Sequence, residues 1–428
     1  MGGVDLASFA LVVFVITYML IMSEKVHRAI AALLGGMILI IGGVLSQEKA
    51  IEHIDWNTLG LLIGMMIIVG ITRRTGVFQY LAVKAVRIAK GEPIRILIAL
   101  ATITAILSAF LDNVTTVLLI VPITFTIADS MDLNPVPFLM SQILASNIGG
   151  TATLIGDPPN IMIGSQTHLG FVDFLLNLTP IIIVIHIVTM VVFYFLYRNK
   201  FKVTDEIKAQ VVQVNPLDEI KDIALLKKSG FILVLTILGF ILHQAFHLES
   251  ATIALTGAAL LMLIAREEPE DILLSVEWPS IFFFLGLFIV VGGLVETGLI
   301  DQMAKWAMEA TAGNFKLTGM LILWLSAIAS AFVDNIPFVA TMIPLIHQMG
   351  NLGGMSPQAL EPLWWALSLG ACLGGNGTII GASANVIVAG LAEKNGYKLS
   401  FLGFMKLAFP LMLLSVAIAM GYLLVFYF

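Results

Sequence analysis

The sequence predicts an all-α polytopic membrane protein of two inverted-topology repeats, with about ten transmembrane crossings, two re-entrant hairpins and two broken helices. Three observations predict it. Of 428 residues, 59% are hydrophobic and 12% charged, against roughly 45–50% and 25% in soluble domains. Apolar runs of about 20 residues recur along the chain, the length that spans ~30 Å of hydrocarbon. The chain also aligns with itself without gaps at a shift of 222, pairing Trp56 with Trp278, Gly70 with Gly292 and Thr75-Gly76 with Thr297-Gly298. The match continues through Ser-Ala-Phe-Leu-Asp-Asn (108–113) against Ser-Ala-Phe-Val-Asp-Asn (330–335). Beyond a three-residue insertion, Gly149-Gly150, Thr153, Gly156 and Asn160 fall on Gly374-Gly375, Thr378, Gly381 and Asn385. A duplication of this kind gives a first repeat at 1–198, a polar cytoplasmic linker at 199–228 and a second repeat at 229–428.

The first apolar segment, 6–22, starts with Asp5 instead of a basic region, and no small-x-small site precedes Glu24 and Lys25. It reads as a retained spanning helix. Helices follow at 28–46 and 56–72. The less apolar stretch 77–90, with Lys84, Arg87 and Lys90 in helical register, suits the membrane surface. Segments 94–109 and 114–128 are separated only by Leu111-Asp112-Asn113, too short and too embedded for an aqueous loop. A re-entrant hairpin (94–128) fits. A broken helix (136–168), interrupted between Asn147 and Asn160, and a last helix at 172–197 complete the copy; the second has its hairpin at 316–349 and its break within 361–393. Five crossings per copy is odd, so the copies must be inverted. Charge agrees: with the N-terminus outside, 19 of the 22 Lys and Arg residues are cytoplasmic and only Lys49, Lys305 and Lys316 fall outside, as the positive-inside rule requires. A cysteine at position 210 of the Cys372→Ala protein should therefore react with an impermeant maleimide only in opened cells, and one at position 3 in intact cells. Labelling of position 210 from outside would overturn this topology.

Composition excludes several functions. No basic tract follows a phosphate backbone, so nucleic acid is not a partner. Cys372 is the single cysteine, which rules out an internal disulfide or a multi-cysteine metal site. No Gly-x4-Gly-Lys-Ser/Thr motif is present, so ATP hydrolysis would need a separate ATPase subunit. An intramembrane aspartyl protease lacks its Gly-x-Gly-Asp pattern, because Leu154 stands where the first Gly should be. The expected partners are the lipid bilayer and a small solute or ion. No cofactor is expected beyond Na+ or H+ as coupling ion.

The chemistry-bearing residues gather in four matched places. Asp112 and Asp334 sit at equivalent hairpin tips, followed by Asn113 and Asn335, and a mid-membrane carboxylate is costly unless it faces protein, water or a cation. Each tip could bind Na+. The bland alternative is a turn at headgroup depth. The broken helices offer Asn147, Gly149, Thr151, Thr153, Asp157 and Asn160 in one copy and Asn376, Thr378, Ser383 and Asn385 in the other, with Thr115 beside the first tip. Glycines and prolines there leave free carbonyls and half-helix amides, tolerated at membrane depth only around a site or inside protein. Asp157 faces Ala382 and Asn147 faces Cys372 in the alignment, so the ligand is asymmetric. At the start of a half-helix Asp157 is expected to be a fixed anion held by exposed amides, while Asp112 and Asp334 exchange protons. His186 and His243 read as core histidines, Trp364-Trp365 and Tyr427 as interface anchors, and Glu296 as a surface carboxylate.

Segments 108–117, 147–160 (Asn-Ile-Gly-Gly-Thr-Ala-Thr-Leu-Ile-Gly-Asp-Pro-Pro-Asn) and 334–344 resemble the ion transporter superfamily, on the branch of ArsB-type arsenite pumps, NhaD-type sodium/proton antiporters and the melanosomal P protein. The resemblance covers nearly the whole chain. It implies a homodimer with a scaffold and a moving transport domain, in which hairpin tips and broken helices form the site. The expected activity is proton-coupled export of a small inorganic solute, arsenite or antimonite first, from the cytoplasmic membrane, with sodium/proton antiport as the rival. Dicarboxylate carriers of the superfamily have Ser-Asn-Thr at the tips where this chain has Asp-Asn, which counts against citrate or succinate. A passive channel would need one continuous polar pore instead of interrupted, inverted repeats.

Overall fold

A computed structural model describes residues 5–23, 25–266 and 268–428. The first four residues, where an extracellular N-terminus is expected, and Glu24 lie outside the described residues.

The first copy folds as α1 (Leu6–Ser23), α2 (Arg28–Ile41), α3 (Gln47–Glu52), α4 (Trp56–Arg73), α5 (Val77–Ile88), α6 (Pro93–Leu111), α7 (Asn113–Ser130), α8 (Val136–Gly150), α9 (Pro158–Ser165) and α10 (Phe171–Tyr197). The linker holds α11 (Asp205–Val212) and a 3-10 turn at Pro216–Glu219. The second copy repeats the order: α12 (Ile223–Leu242), α13 (Ser250–Ala265), α14 (Pro269–Leu273), α15 (Trp278–Glu296), α16 (Leu299–Ala310), α17 (Phe315–Phe332), α18 (Asn335–Gly353), α19 (Glu361–Gly374), α20 (Ser383–Lys394) and α21 (Phe401–Phe426). No strand occurs among the described residues.

Packing repeats with the sequence. α2 lies on α15 as α4 lies on α13, and α6 lies on α8 as α17 lies on α19. Two groups result: α1, α2, α4, α12, α13 and α15 on one side, and the hairpins, broken helices, α10 and α21 on the other. The symmetry breaks where the groups meet, for α4 packs on α6, α7 and α9 while its counterpart α15 packs on α18. Nine helices of the described residues are long and apolar enough to cross a membrane, hairpin arms α6, α7 and α17 among them. α2 and α13 are shorter, at 14 and 16 residues. The expected helix 28–46 stops at Ile41 because Gly42-Gly43 follows, and Gly43 takes a left-handed φ of 76° that ends a helix readily.

Each hairpin turns on almost no chain. Asp112 alone separates α6 from α7, and Val333-Asp334 separate α17 from α18. The linker docks on α5 through α11 and the 3-10 turn. Lys208 pairs with Glu92 at 3.0 Å and Asp205 at 3.3 Å, and these hydrogen bonds hold its ammonium above the ordinary lysine range.

Trp364 and Trp365 are each only 1% exposed, Trp364 against His347 and Trp365 edge-on to Phe174. They are core residues instead of interface anchors, because α19 is buried on every face within the second group of helices. Tyr427 is half-buried and donates to Asn177. His186 and His243 are half-buried instead of core residues: His243 Nδ1 lies 2.9 Å from Leu248 O and His186 Nε2 3.1 Å from Thr102 Oγ1. Glu296 is the surface carboxylate expected, 3.1 Å from His53.

Candidate transport site

Each broken helix is clamped to the hairpin of its own copy by the same two bonds. Ser108 Oγ donates to Ser146 O and Ser330 Oγ to Ala371 O, both at 2.6 Å. Thr153 Oγ1 donates to Ala109 O, and Thr378 Oγ1 to Ala331 O. The backbones then approach so closely that a Cβ on Gly149 would lie 2.1 Å from Ala105 O, and one on Gly374 2.4 Å from Ala327 O. Only glycine fits there, which is why both positions fall in the matched part of the repeat.

The unwound segments are braced from within. Asn160 Nδ2 donates to Thr151 O at 3.1 Å and Thr153 O at 2.9 Å. Asn385 Nδ2 donates to Gly375 O at 2.7 Å and Thr378 O at 2.9 Å. These bonds return donors to carbonyls that the break has freed from the helix ladder. Thr151 Oγ1 likewise bonds Asn147 O at 2.7 Å. Asn160, Asn385, Thr151, Thr153 and Thr378 therefore spend donor groups on the protein's own backbone.

The two breaks meet at Asn147. Its Nδ2 donates to Asn376 Oδ1 at 2.9 Å and Asn385 Oδ1 at 2.8 Å, and its Oδ1 accepts from Asn113 Nδ2 at 3.1 Å. One buried amide thus ties the first hairpin tip to both broken helices. Beside it lies a cavity of about 20 Å3, lined by Asp112, Asn113, Asp157, Glu277, Ser280, Asn335, Ser383 and Arg28. Two larger cavities flank the centre: about 370 Å3 beside Arg28, Glu277 and Asp334, and about 350 Å3 beside Asp55, Asp301 and His347.

The acidic residues differ in what they touch. Asp112 caps α7, accepting from Thr115 N at 2.9 Å and Thr115 Oγ1 at 2.6 Å. It does so at φ 79° and ψ 155°, backbone that is essentially reserved for glycine and costs on the order of 1–3 kcal/mol elsewhere. Asp334 caps α18 without that strain, at φ −44°. Its Oδ2 accepts from Arg28 Nη1 and Ser383 Oγ, each at 3.0 Å, and its Oδ1 from Ile336 N at 3.1 Å. Asp157 is fully buried, and its Oδ1 accepts from Asn335 Nδ2 at 3.4 Å. Its Oδ2, like Asn113 Oδ1, is buried without a hydrogen bond, and the Cys372 thiol is the other polar neighbour of the carboxylate. The expected amides are not there: Asp157 precedes α9, but its side chain receives no capping bond, and Pro158 and Pro159 have no N–H to give. Asp157 is therefore not an anion fixed by a helix terminus.

A family model described as "Citrate transporter" (CitMHS) matches residues 18–370. The chain belongs to the CitMHS family. An uncharacterized transporter of Mycobacterium tuberculosis is 43% identical over 423 residues, 98% of each chain. The P protein of Mus musculus is 35% identical over 491 residues, covering 95% of this chain and 59% of its own. In fold, the crystal structure of the YdaH transporter of Alcanivorax borkumensis matches with a TM-score of 0.59 at 15% identity, over 88% of this chain and 87% of that one. The likeness to the P protein is thus seen directly, and the chain is a multi-pass member of a membrane-transporter family whose relatives are transporters, not enzymes. The likeness to arsenite pumps and sodium/proton antiporters rests on the motifs alone.

Two residues at this family member's site escaped sequence reasoning. Arg28, counted with the cytoplasmic charges, turns inward to Asp334. Glu277 lines the central cavity and accepts from Ser280 Oγ at 2.9 Å. Glu277 had a signal in the repeat: it precedes Trp278 as Asp55 precedes Trp56, and Asp55 likewise accepts from Thr58, the residue matched to Ser280, at 2.7 Å. Arg28 had none, because its matched position is Ser250.

Proposed function

We propose that this chain is a cation/proton antiporter of the cytoplasmic membrane, in which Asp157, Asp112 and Asp334 bind Na+ and protons alternately around the central cavity. The observation that carries this reading is the pair of buried acceptors, Asp157 Oδ2 and Asn113 Oδ1, which make no hydrogen bond and belong to residues lining one cavity of about 20 Å3. Acceptors that share a buried cavity are costly unless a proton, a water or a cation satisfies them, and a carboxylate with a neutral amide oxygen is hard-cation chemistry. Asp112 and Glu277 add negative charge to the same cavity. Inverted repeats meeting at this point suit alternating access, with the coupling groups moving between the two flanking cavities.

A neutral hydroxylated solute such as arsenite is the second reading. Ser280, Ser383 and Thr115 supply hydroxyls near the same tips, and the motifs resemble arsenite pumps. The family description brings citrate in as the third. A tricarboxylate at the central cavity would face three carboxylates with Arg28 as the one positive side chain lining it. The cavity in this arrangement is also on the scale of one water.

Transport by the full chain in proteoliposomes, under an imposed pH gradient with Na+, arsenite or citrate, tests the three together. Na+ should collapse the gradient, and citrate and arsenite should leave it intact. Dissipation by citrate or arsenite with no response to Na+ would overturn the cation reading.

A further inference from the structure

We propose that Arg28 is a tethered surrogate cation: its guanidinium fills the cation position at the second hairpin tip and so latches the two groups of helices in the arrangement seen here. This rests on the antiporter reading for its physiological meaning, but not for its geometry. Arg28 opens α2, in the group of helices that contains α15, whereas Asp334 and Ser383 belong to the hairpin and broken helix of the other group. Nη1 donates to Asp334 Oδ2 at 3.0 Å and also to Ser383 Oγ, while Nη2 donates to Ser280 Oγ at 3.1 Å. The guanidinium carbon lies 5.0 Å from the centre of the Phe283 ring. Carboxylate, hydroxyl and aromatic face together hold one cation in a fixed place.

Asp334 faces the same demand as Asp157: a carboxylate inside a membrane protein needs a proton, a cation or donors. Asp157 has a long bond to Asn335 and the Cys372 thiol beside it, and Asp334 has an arginine from a different helix group. Whatever neutralises Asp334 competes with Arg28, and when Arg28 leaves, the polar tie between α2 and the second tip leaves with it. Site occupancy and the relation of the two groups are then one equilibrium, because a bound cation shifts it by its preference for the released form.

The latch is one-sided. The position matched to Arg28 in the second copy is Ser250, so the mirrored arrangement, with the first tip against α13, has no cation to offer Asp112. The asymmetry is already visible in the packing of α4 on α9, where Asp55 accepts from Ser165 Oγ at 2.6 Å. The repeat counterpart of that contact would join Glu277 to Gly390, which has no hydroxyl; Glu277 sits by Ser280 and the Arg28 cluster instead.

Spin labels on exposed Glu270 and Lys394, at the ends of α14 and α20, report the relation of the groups in the full-length Cys372→Ala protein by pulsed dipolar spectroscopy in nanodiscs. With Arg28 present, one distance should dominate. Arg28→Gln should move the ratio of two populations by about tenfold or more, as loss of charged hydrogen bonds implies. Asp334→Asn, which keeps the shape and removes the charge, should give the same distribution, and the double variant no further change. Arg28→Lys should stay with the parent. If Arg28→Gln and Asp334→Asn both keep the parent distance, the pair is only a packing contact and the latch is refuted. If Arg28→Lys follows Arg28→Gln, shape and not charge holds the groups, and the surrogate-cation assignment fails. A shifted distribution in a protein that moves neither Na+ nor protons would uphold the latch and overturn the antiporter reading.

Discussion

Asp157→Asn should lower Na+-driven proton movement in proteoliposomes by about 100-fold, while protein yield and melting temperature stay within a small margin of the parent. The physical reason is the environment of the carboxylate. Its bond to Asn335 is long, its other oxygen makes no hydrogen bond, and its remaining polar neighbour is the weak donor Cys372, so its charge is available to a ligand instead of being spent on structure. Loss of a charged partner to a bound cation is worth about 1.5–3 kcal/mol, roughly 10- to 100-fold in binding, and removal of the proton carrier from the same position takes the upper end. The asparagine fills the same space and removes a buried charge, so folding should survive. The sequence alone suggests a different outcome, a fixed anion whose loss changes substrate preference and leaves proton dependence intact. Pro158 and Pro159 decide between the two, since they remove the amides on which that suggestion rests. Proton movement by Asp157→Asn at the parent rate would return Asp157 to a selectivity role.

Gly149→Ala should be strongly damaging, a single methyl driven into backbone. The added Cβ would meet the carbonyl oxygen of Ala105 at 2.1 Å and its Cα at 2.5 Å. Both are backbone atoms of a hairpin arm already held by the Ser108 and Thr153 clamps, so the neighbour cannot swing away. Overpacking of a rigid core costs about 1–3 kcal/mol and more where backbone must shift, and here the shift would separate the first hairpin from its broken helix. Gly374→Ala should do the same in the second copy, somewhat more mildly at 2.4 Å. Gly421→Ala, where a Cβ meets nothing within 4 Å, is the matched control and should be neutral or slightly stabilising, because alanine is the better helix former. Recovery of monodisperse protein in detergent and its thermal midpoint measure all three. A Gly149→Ala protein that purifies and melts like Gly421→Ala would show that the two backbones are not clamped together as described.

The sequence by itself determined the duplication, its inversion and the four places where polar residues interrupt apolar helices. It could do so because each leaves a one-dimensional trace: a constant shift in self-alignment, an odd number of crossings, and a carboxylate or a Gly-Pro-Asn cluster where hydrocarbon-facing chain tolerates none. It also named the carboxylates, the asparagines and the glycines that the fold gathers around one centre. What it could not do was divide them by task. Asn160 and Asn113 are both asparagines in apolar surroundings. One spends its amide on the carbonyls of its own break, and the other leaves an oxygen without a donor beside Asp157. Trp364 and Trp365 carry the same aromatic signal as an interfacial belt, yet α19 is enclosed on all sides. Arg28 satisfies the positive-inside rule as well as any loop residue, so nothing along the chain marked it out; its role exists only because α2, α15, α18 and α20 converge. Tertiary structure alone decides such assignments, since the partner that sets a polar group's task lies 306 residues from Arg28 along the chain and 3.0 Å away in space.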